Sequence, residues 1–543
     1  MKKDLTSLLF TVLCAVVLLP TLARAQNPTA ENRRAVVTGP THFDTTTRPL
    51  RDMVDTERTT MARGGRDFEP GRPQAVGNSN PSFIDPLAAR GAGSSMSTVS
   101  LAAATTGVPV DPTQRVAPPD TPGDLGPNHY VQWVNLRYAV YNVTRDATNA
   151  ITGFNLASGF PKKGNVIWSG FGGVCATDND GDPIVQYDQF ADRWVLTQFA
   201  VTTKPYTQCV AVSTSPDPGG TYNRYAYSFG TDFNDFPKMG VWSDGYYITY
   251  NMFKRGRTFA GSNVCALERD KMLVGAAARQ ICTLTAAGAS LEPADIEGTG
   301  STALPAAGTA NPLLNITSTA LNFWTYKVNW TTGTATLTGP TVVAGVAAFS
   351  RACGGGTCIP QPGTSQQLDS LGDRLNYRLS YRKFVDHETL LVNHAVATNN
   401  VTGIRWYELR NALGQTISSA TPTVFQQGTF APTADFRWMG SAAMDKTGGI
   451  GIGYNVSSSA LKPSIRYTGR GPADAAGTMG IETNILTGTG SQLSTLARWG
   501  DYSTLSVDPV DGCTMVFTTE FLSADGTFNW NTHISSFKLS TCQ

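Results

Sequence analysis

The strongest constraint on this chain is a phrase that it writes more than once. "DFRWMGSAAMD" runs from Asp435 to Asp445, and "LARWGDYSTLSVD" runs from Leu496 to Asp508. Each has an Arg-Trp pair, a glycine and a short alternating run that ends in Asp. Related phrases start near Gly126, Asp182, Phe236 and Asp373, and again near Arg437 and Arg498, at intervals of 56, 54, 137, 64 and 61 residues. The long interval spans about two units, and "LNFWTYKVNW" (Leu321 to Trp330) supplies strand material inside it. Self-similar strand units of this length are expected to stack side by side and close into a ring, a β-propeller. Counting the hidden unit predicts seven blades, with six as the alternative. An immunoglobulin-like array would repeat at about 100 residues, which is too long.

The local pattern agrees. "HYVQWVNLRYAVYN" (His129 to Asn142) alternates with a period of two and reads as a strand, as do Arg193 to Val201 and Gly245 to Phe253. These runs are apolar on both faces, so other layers must pack against both. The best short helix is "LERDKMLVGAAA" (Leu267 to Ala278). The expected fold is all-β, a single β-propeller over 119–543 with a disordered N-terminal leader.

Residues 1–25 read as a secretory signal. Lys2 and Lys3 precede an apolar run from Leu8 to Leu22, and "ARA" before Gln26 offers a cleavage site after Ala25. The run is shorter than the roughly 20 residues that a membrane span needs, so no span is expected. Residues 26–118 read as a low-complexity leader or pro-segment. "RTTMARGGRDFEPGRPQ" has too little apolar surface to order itself, while "NPSFIDPLA" could wrap the domain. Beyond the signal, eight cysteines remain. Sequence order pairs them as Cys175–Cys209, Cys265–Cys282, Cys353–Cys358 and Cys513–Cys542, in keeping with a secreted protein of the periplasm or cell exterior. A net charge of +1 with 15% charged residues leaves no basic stripe for nucleic acid. A monomer is assumed.

Arg374, Arg437 and Arg498 stand near the opening of an inner strand in three repeats. Converging on the ring axis, they would bind a carboxylate, with Tyr377, Trp438 and Trp499 beside them as a sugar platform. Alternatively, they would tie blades together by pairing with turn carboxylates such as Asp445 and Asp508. Asp501 and Asp235, each beside a blade opening, are the candidate pair for glycoside hydrolysis. Tyr502 or His129 could take the proton in a lyase reaction. In "DNDGDP", Asp178, Asp180 and Asp182 alternate in a turn that suits a structural calcium ion.

Strand repeats with Asp-bearing hairpins and rim arginines resemble the sialidase-type propellers. "SADGTFNW" (Ser523 to Trp530) approaches their Asp-box, with Gly526 and Thr527 out of place. The resemblance implies a carboxylate-binding triad at Arg374, Arg437 and Arg498 and a catalytic tyrosine at Tyr377 or Tyr502, with no glutamate to partner it. "GDLGPNHYVQWVN", "NDGDPIVQYDQFADRWVLTQFAV" and "RWGDYSTLSVDP" also resemble a set of exported bacterial propeller proteins of unassigned function. These readings lead to an extracellular polysaccharide or glycoconjugate, expected to be acidic, as the partner of a glycoside hydrolase or polysaccharide lyase. The alternative is a non-catalytic glycan- or protein-binding propeller.

Overall fold

Antiparallel hairpins closed by Asp- and Gly-bearing turns build the molecule. The computed structural model describes residues 34–55, 80–88, 97–111, 115–298 and 303–543. The expected signal peptide and the "RTTMARGGRDFEPGRPQ" stretch lie outside these residues. Among the described residues, seven four-stranded arrays follow one another. Blade 1 pairs Gly123–Leu125, His129–Val134, Arg137–Arg145 and Ile151–Leu156 in that order. Blade 2 pairs Ile184–Asp188, Arg193–Ala200, Tyr206–Ser213 and Tyr222–Gly230. Blade 3 pairs Phe233–Trp242, Gly245–Lys254, Thr258–Leu267 and Gln280–Thr285. Blade 4 pairs Glu292–Glu297, Asn311–Ile316, Leu321–Asn329 and Thr334–Val342. Blade 5 pairs Asn376–Lys383, Glu388–Thr398, Val401–Arg410 and Thr423–Phe430. Blade 6 pairs Phe436–Met444, Ile450–Ser457, Ser464–Arg470 and Thr483–Leu486.

Blade 7 takes its strands from both ends of the described chain. Thr504–Val507, Met515–Leu522 and Trp530–Leu539 are completed on the outside by Val99–Thr106, with Val99 opposite Leu539 and Thr106 opposite His533. The first strand of each blade touches the first strand of the next, and that of blade 7 touches that of blade 1. This contact order is a closed ring, so the all-β propeller reading holds. The unit hidden in the long interval is blade 4. Residues 343–375 after it form an excursion with a small hairpin, Thr357–Ile359 on Leu368–Asp369.

Three expectations need correction. The run from His129 to Asn142 is two strands, because Asn135 turns the chain in the left-handed region at φ 43°, which Asn tolerates. The boundary near residue 119 is also too late. Besides the closing strand, Val36–Thr38 extends blade 3 and His42–Thr45 extends blade 2. Asp85, in the expected wrapping segment, is buried and receives Arg405 Nη2 at 2.7 Å on both oxygens. The helix expected over Leu267 to Ala278 spans only Arg269–Leu273. All four cysteine pairs form as sequence order predicts.

Strands buried on both faces pack sheet against sheet. Between blades 3, 4 and 5, for example, Trp242, Tyr247, Leu313, Trp324, Tyr381 and Leu390 form one apolar cluster; each such side chain contributes about 2 kcal/mol by leaving water. The axis itself is polar. Arg378 of blade 5 ion-pairs with Asp124 of blade 1 at 3.0 Å and with Asp295 and Glu297 of blade 4 at 2.5 and 3.2 Å, all buried. No described helix is long and apolar enough to cross a membrane.

The candidate site at the upper mouth of the ring

The innermost strands all run in one direction, and the face on which they begin is here the upper face. Residues just before these strands are brought together around the axis. Asp120 precedes Gly123, Asp182 precedes Ile184 and Asp501 precedes Thr504, in the neighbouring blades 1, 2 and 7. One carboxylate oxygen from each lies within 4.8 Å of those from the other two. Asp501 N donates to Asp120 Oδ1 at 2.9 Å, and Asn135 Nδ2 donates to Asp120 Oδ2 at 3.1 Å. Asp120, Asp182 and Phe236 have φ of 46°, 42° and 52°. Such left-handed backbone at non-glycine residues costs about 1–3 kcal/mol each and persists where its surroundings enforce it.

The three carboxylates are buried, and burial penalises their charged forms. Asp120 is held well above the ordinary carboxylate range, by burial first and then by Asp501 and Asp182. Asp182 is pushed up to about 7 by burial and by Asp501, against the pull of Lys238 and Arg498, and it shares a side-chain hydrogen bond with Asp120. Asp501 goes the other way. Burial would raise it, but Arg498 Nη2 lies 2.5 Å from both its oxygens, and Arg498, Arg374 and Lys238 together keep it ionised below the usual range. Burial thus favours the neutral forms of Asp120 and Asp182, while Arg498 favours the charged form of their neighbour Asp501.

Lys238 stands between two rings, its Nζ 3.3 Å from the centroid of Phe236 and 3.5 Å from that of Tyr502. Burial brings it down to about 8. Glu292, fully buried, has no hydrogen-bond partner on either oxygen among the described residues and is pushed up to about 8 by burial, against Lys238 and Arg374.

Of the three arginines expected to converge, two reach this mouth, and both are already paired. Arg498 holds Asp501. Arg374 grips its neighbour Asp373 at 2.9 and 3.0 Å and lies 4.5 Å from the Phe236 ring centroid. Arg437 does not join them. Its Nε and Nη2 bind Glu482, at the outer strand of its own blade, at 2.8 and 3.0 Å. The cause is a slip within the repeated phrase: Arg437 stands eight residues before Asp445, whereas Arg498 stands ten before Asp508. The arginine triad implied by the sialidase resemblance is therefore not assembled.

Nor do these arginines tie blades through Asp445 and Asp508. Asp508 pairs with Arg145 of blade 1, and Asp188 of blade 2 pairs with Arg269 of blade 3. Asp445 accepts Thr447 N and Gly449 N within its own hairpin.

Tyr377 and Tyr502 are buried in the wall of the mouth, their hydroxyls donating to Met239 O at 2.9 Å and Pro237 O at 3.1 Å. Burial first, then Asp182, Asp120 and Asp501, holds the Tyr502 phenol far above its ordinary value, which is unsuited to a base. Asp235 lies near Tyr502 and adds to that effect. Trp438 and Trp499 pack edge to face at 5.6 Å, fully buried under the excursion residues Ile359, Leu368 and Leu371, and offer no sugar platform. His129 opens the second strand of blade 1, at the opposite end of the ring, where burial and Arg51 lower its pKa.

The calcium expectation also changes. Asp178 accepts Thr203 N and Oγ1 at 3.0 and 2.9 Å, and Asp180 accepts Val201 N and Thr202 N at 2.6 and 2.7 Å. Asp182 turns away to Asp120, so the three carboxylates of "DNDGDP" do not converge. At the mouth, by contrast, one oxygen each of Asp120, Asp182 and Asp501 lie within 4.8 Å of one another, with Arg498 Nη2 beside both Asp501 oxygens.

Sequence reading missed Asp120, Lys238 and Glu292. A signal was present for the first: Asp120, Asp182, Asp373 and Asp501 each stand two or three residues ahead of an innermost strand.

No family model matches this chain, and no curated protein does. Among solved structures it is similar to an α-L-arabinanase of Penicillium chrysogenum, at 9% identity over 81% of this chain and 98% of that one, with a TM-score of 0.33. It is also similar to an endo-arabinase from Bacteroides thetaiotaomicron, at 14% identity over 55% and 95% with a TM-score of 0.27. A third is the sialidase of Trypanosoma rangeli, at 10% identity over 65% and 54% with a TM-score of 0.30. The site described above rests on this chain's own geometry.

Proposed function

We propose that the upper mouth cleaves glycosidic bonds in an extracellular glycan by acid–base catalysis, with Asp182 and Asp120 holding the acid proton and Asp501 as the ionised partner. One observation carries this reading: adjacent carboxyl groups are driven in opposite directions, one protonated near neutral pH and one held charged by Arg498. Pairs of titratable groups with divergent environments mark acid and base roles. Oxygens within 4.8 Å suit the roughly 5 Å separation of retaining glycosidases better than the wider inverting one. The lyase reading loses support, because neither Tyr502 nor His129 is placed to act as the base. Four disulfides fit a location outside the cytoplasm.

The test incubates the full chain with a panel of acidic and neutral polysaccharides and follows new reducing ends. Asp182→Asn and Asp501→Asn are expected to lower turnover by about 10²–10⁴-fold. Turnover that survives both changes would remove the mouth as the active centre. A second reading, a binding propeller without catalysis, is favoured by one fact: Arg374 and Arg498 are neutralised by the chain's own carboxylates. Retention on a polymer with no reducing ends released would select it.

A further inference from the structure

The upper face carries a second feature, away from the axis. Second strands of blades end on this face, so the turns after Ala200 and Lys254 both project from it. Between them lies a cleft of about 650 Å³ lined by Lys204, Lys254, Arg255 and Arg257, with Tyr206 at its side. All four cations are exposed, and none takes part in an ion pair among the described residues.

The cleft is built by specific contacts. Asp178 and Asp180 fasten residues 201–203 through the hydrogen bonds given above, which fixes the stalk that presents Lys204. Asp178 and Asp180 of the "DNDGDP" turn thus act as backbone anchors, while Asp182 faces the mouth. On the other side, Arg255 adopts φ 53° and Gly256 φ 73°, and Asp232 Oδ1 accepts Arg255 N at 3.0 Å. A Cβ at Gly256 would come within 2.7 Å of the Tyr206 hydroxyl, so the blade 3 turn is packed onto the blade 2 ring. Tyr206 also meets Phe233 of blade 3 edge to face at 5.6 Å, and Lys204 Nζ lies 5.6 Å from its centroid. Four like charges held this close repel one another. Asp178, Asp180 and Asp232 spend hydrogen bonds on the backbone of these turns, and none forms an ion pair with the four cations among the described residues; a chain of net charge +1 has no general excess to account for the cluster.

We infer that this cleft binds a carboxylate- or sulfate-bearing polysaccharide, holding the polymer on the face where the mouth opens. The ligand class rests on the proposed glycan reading; the cationic site itself does not. A concave pocket with one aromatic ring suits an anionic sugar chain better than a flat membrane or the long phosphate track of a nucleic acid.

Affinity electrophoresis of the full chain in polygalacturonate, dextran sulfate and neutral dextran tests this. Retardation is expected in the two anionic gels, falling as salt rises, and not in neutral dextran. Retardation in one anionic gel alone identifies carboxylate or sulfate as the group bound. Lys204→Gln with Arg257→Gln should weaken retention at least tenfold at low salt. Lys446→Gln, an exposed lysine on the opposite face, should leave it unchanged, and the thermal midpoint of each variant reports that the fold is intact. Unaltered retention in the double variant, or equal binding of single-stranded DNA or phosphatidylserine vesicles, would overturn the inference. Asp501→Asn separates the two proposals: it removes turnover if the mouth is catalytic and leaves retention by the cleft as it was.

Discussion

Arg145 of blade 1 binds Asp508 of blade 7 across the seam where the ring closes, its Nη1 and Nη2 at 2.5 and 2.9 Å from the two carboxylate oxygens. Asp508 is fully buried, and its Oδ1 also receives Val510 N at 2.9 Å. The same seam carries a parallel bridge between Thr121 and Ser503, and Gly123 N donates to Thr504 Oγ1 at 2.9 Å.

Arg145→Ala is therefore expected to leave a buried carboxylate without its counter-charge, at a cost of about 3 kcal/mol. Urea unfolding of the variant measures this. A loss below about 0.5 kcal/mol would mean that the pair behaves as an ordinary surface contact.

The closing strand makes a sharper prediction. A chain shortened to residues 119–543 loses Val99–Thr106 and bares the edge of Trp530–Leu539. Exposed edges of this kind pair with other chains, so that product should aggregate, while one beginning at Arg34 stays monodisperse in size-exclusion chromatography. Equal behaviour of the two would show that the fourth strand of blade 7 is dispensable.

Glu292 sets a pH dependence. Its pKa rises from an ordinary 4.5 to about 8 in the folded chain, so the folded state holds its proton more tightly than the unfolded one. The associated stability is complete below about pH 4.5 and is lost as pH rises to about 8. Glu292→Gln keeps the shape and removes the titration. The variant should gain on the native chain, on the order of a few kcal/mol, between pH 5 and pH 8, read from urea midpoints. A difference that stays constant with pH would place Glu292 in a wetter setting than its burial implies.

What could be read from the sequence was what is local. Runs such as Gly245–Lys254 show their period of two directly, and cysteines on adjoining strands, such as Cys265 opposite Cys282, fall in sequence order. The closing strand escaped because "VSLAAATT" is small and mostly exposed, and its apolar signal is weak because an outermost strand buries little. The mouth escaped for a different reason. The eye follows the Arg-Trp phrase, but position on the axis is set by distance from the start of the inner strand. By that measure the carboxylates Asp120, Asp182 and Asp501 are equivalent, and Arg437 and Arg498 are not.

The pairing of Ala103 with Ser536, 433 residues apart, governs when this protein can become itself. At ribosomal speeds of about 5–20 residues per second, the first-made partner waits roughly 20–90 s for its mate to be synthesised. Six blades can mature as they emerge, yet the circle stays open, its seam unfastened, until Trp530–Leu539 has been made.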